Sequence, residues 1–147
     1  MSGSPAFINS YLPALLGQAW LVVSSEFHTV VEARGFSVLE WRVLSVLEGN
    51  GPTSVSELAL KTVSKQPTIT RLLHRLEKQQ QVERCESQNG DRRLSWVTVT
   101  EAGRQLVREL NAEAARFEEG VLGQLGEERS AMLKDTLQTL IQRYSVA

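Results

Sequence analysis

The stretch that decides the fold is Ser54-Val55-Ser56-Glu57-Leu58-Ala59-Leu60-Lys61-Thr62-Val63-Ser64-Lys65-Gln66-Pro67-Thr68-Ile69-Thr70-Arg71-Leu72-Leu73-His74-Arg75-Leu76-Glu77-Lys78-Gln79. Ser54 to Glu57 opens a short helix through Leu58 and Leu60, and a brief turn follows around Thr62-Val63. Ser64 is placed to cap a second helix running to about Gln79, with Pro67 tolerated inside its first turn. Ile69, Leu72, Leu73 and Leu76 fall at i, i+3, i+4 and i+7, one apolar face for packing. By 100° steps the opposite face holds Pro67, Thr70, Arg71, His74 and Lys78, with Thr68 and Arg75 at its border. Two short helices joined by a tight turn, the second polar and basic outside, are what a helix-turn-helix requires.

Downstream, residues 82–87 and 94–99 are short and rich in β-formers, separated by Gln88-Asn89-Gly90-Asp91. Asn-Gly is a strong hairpin signal because a two-residue turn of this kind needs φ > 0 at both positions. Helix, turn, helix and hairpin make a winged helix-turn-helix. Upstream, apolar positions from Leu12 to Val31 recur at three and four, which predicts an amphipathic helix over about 10–33, stopped by Gly35. Ser37 and Glu40 have capping-box spacing and start a helix over 38–47, ending in the loop-like Glu48-Gly49-Asn50-Gly51-Pro52. Two long helices close the chain, from Thr100-Glu101 and from near Glu127. The expected class is mainly α with a small β-hairpin wing (α+β). Residues 37–100 form the winged lobe, and residues 1–36 and 101–147 form helices that pair two chains.

The chain has 147 residues and a formal charge of −1, a length that fits one domain of about 100–200 residues. A balanced total conceals an uneven distribution. Residues 1–60 carry two bases against five acids (−3), residues 61–93 eight bases against four acids (+4), and residues 101–147 six bases against eight acids (−2). A basic middle between acidic flanks fits one face built for phosphate, although a solvated charge cluster would have the same composition. No run of about 18 apolar residues spans a membrane, and no basic segment precedes an apolar stretch at the N-terminus, so neither a membrane anchor nor a secretory leader is expected. One cysteine (Cys85) and two histidines (His28, His74) exclude an intramolecular disulfide framework. They point to a reducing, cytoplasmic setting and make a dedicated metal site or other cofactor unexpected. No Gly-rich phosphate loop, HExxH or nucleophile elbow is present, so an enzyme is not expected.

With these elements in order, several strings resemble the MarR (multiple antibiotic resistance regulator) family of bacterial transcription factors. They are Ser37-Val38-Leu39-Glu40-Trp41-Arg42-Val43-Leu44, Ser56-Glu57-Leu58-Ala59, residues 68–77, Val82-Glu83-Arg84, and Asp91-Arg92-Arg93 followed by Val97-Thr98-Val99-Thr100-Glu101-Ala102-Gly103. The resemblance covers roughly residues 10 to 145. It departs where the recognition helix meets the first wing strand: the family's Gly-Leu is here Gln80-Gln81, and glycine there would supply a left-handed helix stop.

A groove-reading helix needs donors in its N-terminal half, which makes Lys65, Gln66, Thr68, Thr70 and Arg71 the candidates, with Arg75 a turn further on. Arg71 has the fork that matches guanine O6 and N7, and Gln66 could read adenine. Lys65, Thr68 and Thr70 are better suited to phosphates. The resemblance implies that Arg93 enters a minor groove from the wing, braced by Asp91, while Arg92 touches backbone. It also implies a homodimer on a pseudo-palindromic double-stranded operator. Exposed-end apolar residues such as Phe7, Ile8, Leu12, Leu16, Leu133, Leu137, Leu140, Ile141 and Tyr144 fit that arrangement.

Family members often bind small aromatic acids or phenols, and Trp20, Phe27, His28 and Trp41 are the matching effector candidates here, with Arg34 or Arg42 as possible acid partners. Packing is the plainer role for the two tryptophans. Cys85, on the first wing strand, reads as a small buried hydrophobe rather than a redox sensor. The expected function is a ligand-relieved repressor. The rival is a winged-helix protein-interaction module that touches no DNA.

Overall fold

A computed structural model describes residues 5–86 and 95–145. After a 3-10 turn at Phe7–Asn9 the elements run α1 (Leu12–Ala33), α2 (Val38–Asn50), β1 (Thr53–Ser54), α3 (Val55–Lys61), α4 (Gln66–Lys78), β2 (Val82–Cys85), β3 (Trp96–Val99), α5 (Glu101–Leu122) and α6 (Glu127–Tyr144). The three strands form one antiparallel sheet in the order β1-β3-β2. Thr53 lies opposite Val97, Val82 opposite Val99, and Arg84 opposite Val97. The fold is the expected one: mostly helical, with a small antiparallel sheet behind a helix-turn-helix.

Several boundaries differ from the sequence reading, each for a local reason. α2 continues through Glu48 and Gly49 to Asn50, because the Gly51 N–H still reaches the Leu47 carbonyl at 3.0 Å. β1 has only two residues, too few for a period-2 pattern, and exists because β3 offers it a ladder. α1 begins at Leu12 rather than Ser10, since the preceding 3-10 turn takes Ser10 as its own terminus. Ser64 does not cap α4: Lys65 occupies the N-cap position and no side chain bonds there. The wing turn expected at residues 88–91 lies outside the described residues. The Ser37–Glu40 capping box is formed in full, with Glu40 N–H donating to Ser37 Oγ at 3.1 Å and Ser37 N–H to Glu40 Oε1 at 3.3 Å.

Three helix ends share one hydrogen-bond pattern, a 6→1 bond enclosing a 5→2 bond around a left-handed residue. After α1 that residue is Gly35 (φ 83°), with Phe36 N–H on Val31 O and Gly35 N–H on Glu32 O. After α3 it is Val63 (φ 55°), with Ser64 N–H on Ala59 O and Val63 N–H on Leu60 O. After α4 it is Gln80 (φ 57°), with Gln81 N–H on Leu76 O and Gln80 N–H on Glu77 O, both 2.9 Å. The departure at Gln80-Gln81 therefore keeps the geometry that glycine would have supplied, at a cost of about 1–2 kcal/mol for a side chain in this region.

The start of α5 is locked onto that same turn. Thr100 Oγ1 donates to the Gln80 carbonyl at 2.7 Å and accepts the Gly103 N–H at 3.1 Å, while Thr100 N–H bonds Gln81 O. Gly103 is buried, and a Cβ there would run into the Gln81 carbonyl oxygen and lie 2.8 Å from Val99 Cγ2. The Thr-Glu-Ala-Gly string is thus a cap plus a close approach of helix to backbone.

The chain divides into two compact units, residues 1–25 with 114–147, and residues 26–113. All fifteen buried hydrophobic residues among those described, from Phe27 to Leu110, belong to the second unit. Its core joins Val43, Leu44 and Leu47 of α2 to Leu58 of α3, Ile69, Leu73 and Leu76 of α4, and Val82, Val97 and Val99 of the sheet. Each such side chain contributes about 1.5–3 kcal/mol on burial. The first unit is held by Lys134 Nζ–Glu118 Oε2 at 2.8 Å and by Ser130 Oγ donating to the Leu122 carbonyl at 3.1 Å. It exposes Phe7, Ile8, Leu12, Leu16, Trp20, Met132, Leu133, Ile141 and Tyr144.

Candidate nucleic-acid interface

α4 is the most strongly two-sided element of the lobe. Ile69, Leu73 and Leu76 are fully buried, whereas Gln66, Thr70, Arg71, His74, Arg75 and Lys78 stand in solvent. Lys65 at its N-cap is exposed and Thr68 half-buried. The first turn contains no acid and the last contains Arg75 and Lys78. The free N–H groups and positive dipole end therefore meet no competing carboxylate on that turn. The two faces follow from the i, i+3, i+4, i+7 spacing of the apolar residues, and packing against α2, α3 and the sheet turns the polar face outward.

Two arginines beside this face are tied to acids. Arg75 Nη2 lies 3.1 Å from Glu40 Oε1, and Glu40 is only 2% exposed. Glu40 thus serves twice, in the α2 capping box and as an anchor for α4. Its second carboxylate oxygen has no hydrogen-bond partner. Burial makes such a carboxylate costly unless a cation faces it, and Arg75 is that cation. Arg84 of β2 bonds Glu77 Oε1 through Nε at 3.1 Å and Ser95 Oγ through Nη1 at 2.8 Å. Glu77 Oε2 also stands 3.9 Å from His74 Nδ1. Neither anchor was legible in the sequence, because Glu40–Arg75 spans 35 positions and Arg84 meets α4 only through the sheet register.

Between the start of α3, the flank of α4 and the sheet runs an open groove of about 350 Å³ lined by Ser54, Val55, Ser56, Gln66, Thr70, Arg84 and Ser95. Gln66 and Thr70, two of the residues singled out from the sequence, meet there. Asp91, Arg92 and Arg93 lie outside the described residues.

The effector candidates fall in two places. Trp20 belongs to the unit of residues 1–25 and 114–147 and is half-exposed. Phe27, His28 and Trp41 belong to the other unit. Phe27 is buried and meets Trp41 edge-to-face, with ring centroids 4.8 Å apart. The Trp41 indole N–H donates to Asn111 Oδ1 at 2.9 Å, and Ser45 Oγ donates to the same oxygen at 2.7 Å. Asn111 therefore clamps α2 to α5, a role with no signature in sequence. His28 is half-buried, and its pKa is lowered chiefly by burial and then by the nearby Arg42 charge, with Glu32 opposing. Arg34 is committed to Glu113 and, at 3.3 Å, to Glu109. Cys85 is half-buried rather than fully so, and burial together with Glu83 pushes its thiol pKa up. That environment disfavours the thiolate an oxidant sensor needs. Among the described residues no cluster of His, Cys, Asp and Glu is arranged to hold a metal ion, and no helix is long and apolar enough to cross a membrane.

A buried-backed, basic-faced helix beside a three-stranded sheet defines the winged helix-turn-helix class. The MarR family model matches residues 34–93. The chain is 30% identical to a crystallised MarR family transcriptional regulator from Silicibacter pomeroyi DSS-3, covering 93% of this chain and 97% of that one, with a TM-score of 0.82. It is 28% identical over 123 residues to the HTH-type transcriptional regulator FarR of Neisseria gonorrhoeae, covering 84% of each. It is 26% identical to NadR, solved in complex with 4-hydroxyphenylacetate, over 95% of this chain and 97% of that one, with a TM-score of 0.83. The chain belongs to the MarR family and is a transcriptional regulator of that family.

Proposed function

We propose that two copies of this chain, paired through residues 1–36 and 101–147, bind a pseudo-palindromic duplex operator and repress transcription until a small aromatic or phenolic acid releases them. The observation that carries this reading is α4. Its outer face offers Lys65, Gln66, Thr70 and Arg71 to solvent, and its inner face is anchored by three fully buried side chains. Arg71 is assigned to a guanine edge and Gln66 to an adenine. Lys65, Thr68 and Thr70 are assigned to phosphates. Arg75, held by buried Glu40, sets the pitch of α4 and presents its remaining donors to the backbone. Asp91, Arg92 and Arg93 are assigned to the minor groove on the family resemblance. The chemistry is binding rather than catalysis, and cytoplasmic residence goes with a regulator of transcription.

Pairing follows from energetics. Residues 1–25 and 114–147 display apolar side chains and hold none of the buried hydrophobic residues described. A patch of that kind marks a protein interface, and a second copy supplies a matching one across a two-fold axis. For the effector, NadR's bound 4-hydroxyphenylacetate and the Phe27–Trp41 pair next to the cationic Arg42 and titratable His28 support an aromatic acid. Such a ligand acts only if it binds one spacing of the two α4 helices better than the other.

The test is titration against duplex DNA at several salt concentrations. A regulator loses affinity along a log–log slope of roughly −0.9 per phosphate neutralised, and selected sequences outcompete random ones. Absence of binding to any duplex at low ionic strength would favour the protein-interaction module instead.

A further inference from the structure

The groove beside α4 has a composition of its own. Among the described residues lining it, Arg84 is the one that carries charge, and the rest of its polar wall is Ser56, Gln66, Thr70 and Ser95 with their neighbour Ser54. No carboxylate lines it. Arg84 reaches the groove because the period of two along β2 puts it on the same sheet face as Val82, the face turned to α4. Its guanidinium is held on two sides, by Glu77 through Nε and by Ser95 through Nη1. A guanidinium has five N–H donors in a rigid fork, and these two bonds use two of them. The side chain is 34% exposed, so the fork is pre-set yet open to a ligand, and seating an oxyanion orders it little further. A tetrahedral oxyanion is the ligand that one fork plus hydroxyl and amide donors suits best.

We propose that this groove seats one backbone phosphate of the bound duplex, with Arg84 as its charge partner and Gln66 and Thr70 closing it from the recognition helix. The proposal rests on the duplex-binding reading above and adds to it a positioning contact. Gln66 and Thr70 are one turn apart on a single flank of α4, next to Arg71. A phosphate in the groove therefore fixes the rotation of α4 about its axis while Arg71 meets the bases. Glu77 and Ser95 are the braces that make the contact rigid.

Because a phosphate contact carries no sequence information, the test needs no operator. Binding of the full-length protein and of Arg84→Gln, Arg84→Lys and Lys134→Gln to a random-sequence duplex is measured by anisotropy across a salt series, with a thermal melt of each. Arg84→Gln is expected to bind about tenfold more weakly, with a log–log salt slope shallower by roughly 0.9 per protomer engaged. Arg84→Lys is expected to keep the slope while recovering only part of the affinity, because it keeps the charge and loses the fork. Lys134→Gln, far along the sequence on α6, should leave the slope unchanged.

A lowered melting temperature in Arg84→Gln with the wild-type slope would make Arg84 a brace of the wing alone and overturn the proposal. Inorganic phosphate is titrated calorimetrically against the same proteins. Saturable uptake that Arg84→Gln abolishes, with no change in its DNA slope, would make the groove a free-anion site and would also overturn it. Failure of the wild-type protein to bind any duplex would remove the regulator reading itself, an outcome separate from a wild type that binds and a variant that binds equally well.

Discussion

Arg71 and Lys65 both stand in solvent near the start of α4, yet their chemistry gives them different work. A planar fork can match one base edge, while a flexible ammonium tracks charge. Arg71→Ala is expected to cost about 1–3 kcal/mol on a sequence selected from random duplexes and to relax preference at one position. Lys65→Ala should weaken selected and random duplexes by the same factor; equal losses for both variants on both duplexes would overturn this division. His28 makes a second residue-scale case. Burial and Arg42 hold its folded pKa below the ordinary value of about 6.5, with Glu32 opposing. The unfolded chain therefore binds more protons in the window just below that value, so His28 takes stability away as pH falls through about 6.5 and leaves it unaffected above. An acid bound beside His28 would raise its pKa. Uptake of 4-hydroxyphenylacetate should then strengthen as pH drops below neutrality, and His28→Ala should flatten that dependence. Calorimetry at several pH values decides it, and an unchanged profile in the variant would remove His28 from the site.

Among the elements, the turns carry the strain. Two of three equivalent helix stops place a side chain where glycine is at ease, Gln80 after α4 and β-branched Val63 after α3. Gln80→Gly should raise stability by about 1 kcal/mol, since the folded backbone already has the glycine conformation and the hydrogen bonds around it are backbone ones. The gain is smaller than the full left-handed penalty because glycine also gains entropy when unfolded. Denaturant midpoints with an unchanged m-value would verify it. A loss of stability would show that the Gln80 side chain has a packing role. The elements also show how the sequence could be right in outline and wrong at edges. α4 and α5 were legible because long apolar periods and a Thr-Glu-x-Gly start are local. β1 was not, because two residues hold no period and their pairing depends on a strand more than forty positions away.

At the scale of the whole molecule, the distribution of buried surface decides assembly. With its described buried hydrophobic residues all in residues 26–113, the chain leaves Leu133, Ile141 and Tyr144 of α6 and Leu12 and Leu16 of α1 in water. Light scattering should give twice the 16.4 kDa chain mass, with a melting temperature that rises with protein concentration. Leu133→Glu with Ile141→Glu should yield a monomer with residual, non-specific DNA affinity. A stable wild-type monomer at micromolar concentration would refute pairing through these helices.

What the amino-acid order determined alone was everything of short range: the amphipathic faces, the Ser37–Glu40 box, the helix-turn-helix followed by paired β-formers, and the basic segment within it. These depend on spacings of a few residues and on backbone preference, which a linear string carries in full. Tertiary structure alone decided that Glu40 reaches Arg75, that Asn111 holds Trp41 and Ser45, and that Arg84 turns into a groove with Gln66 and Thr70. Such contacts join residues far apart in the chain. They exist only once a common core has brought their helices and strands within the few ångströms over which hydrogen bonds and ion pairs act.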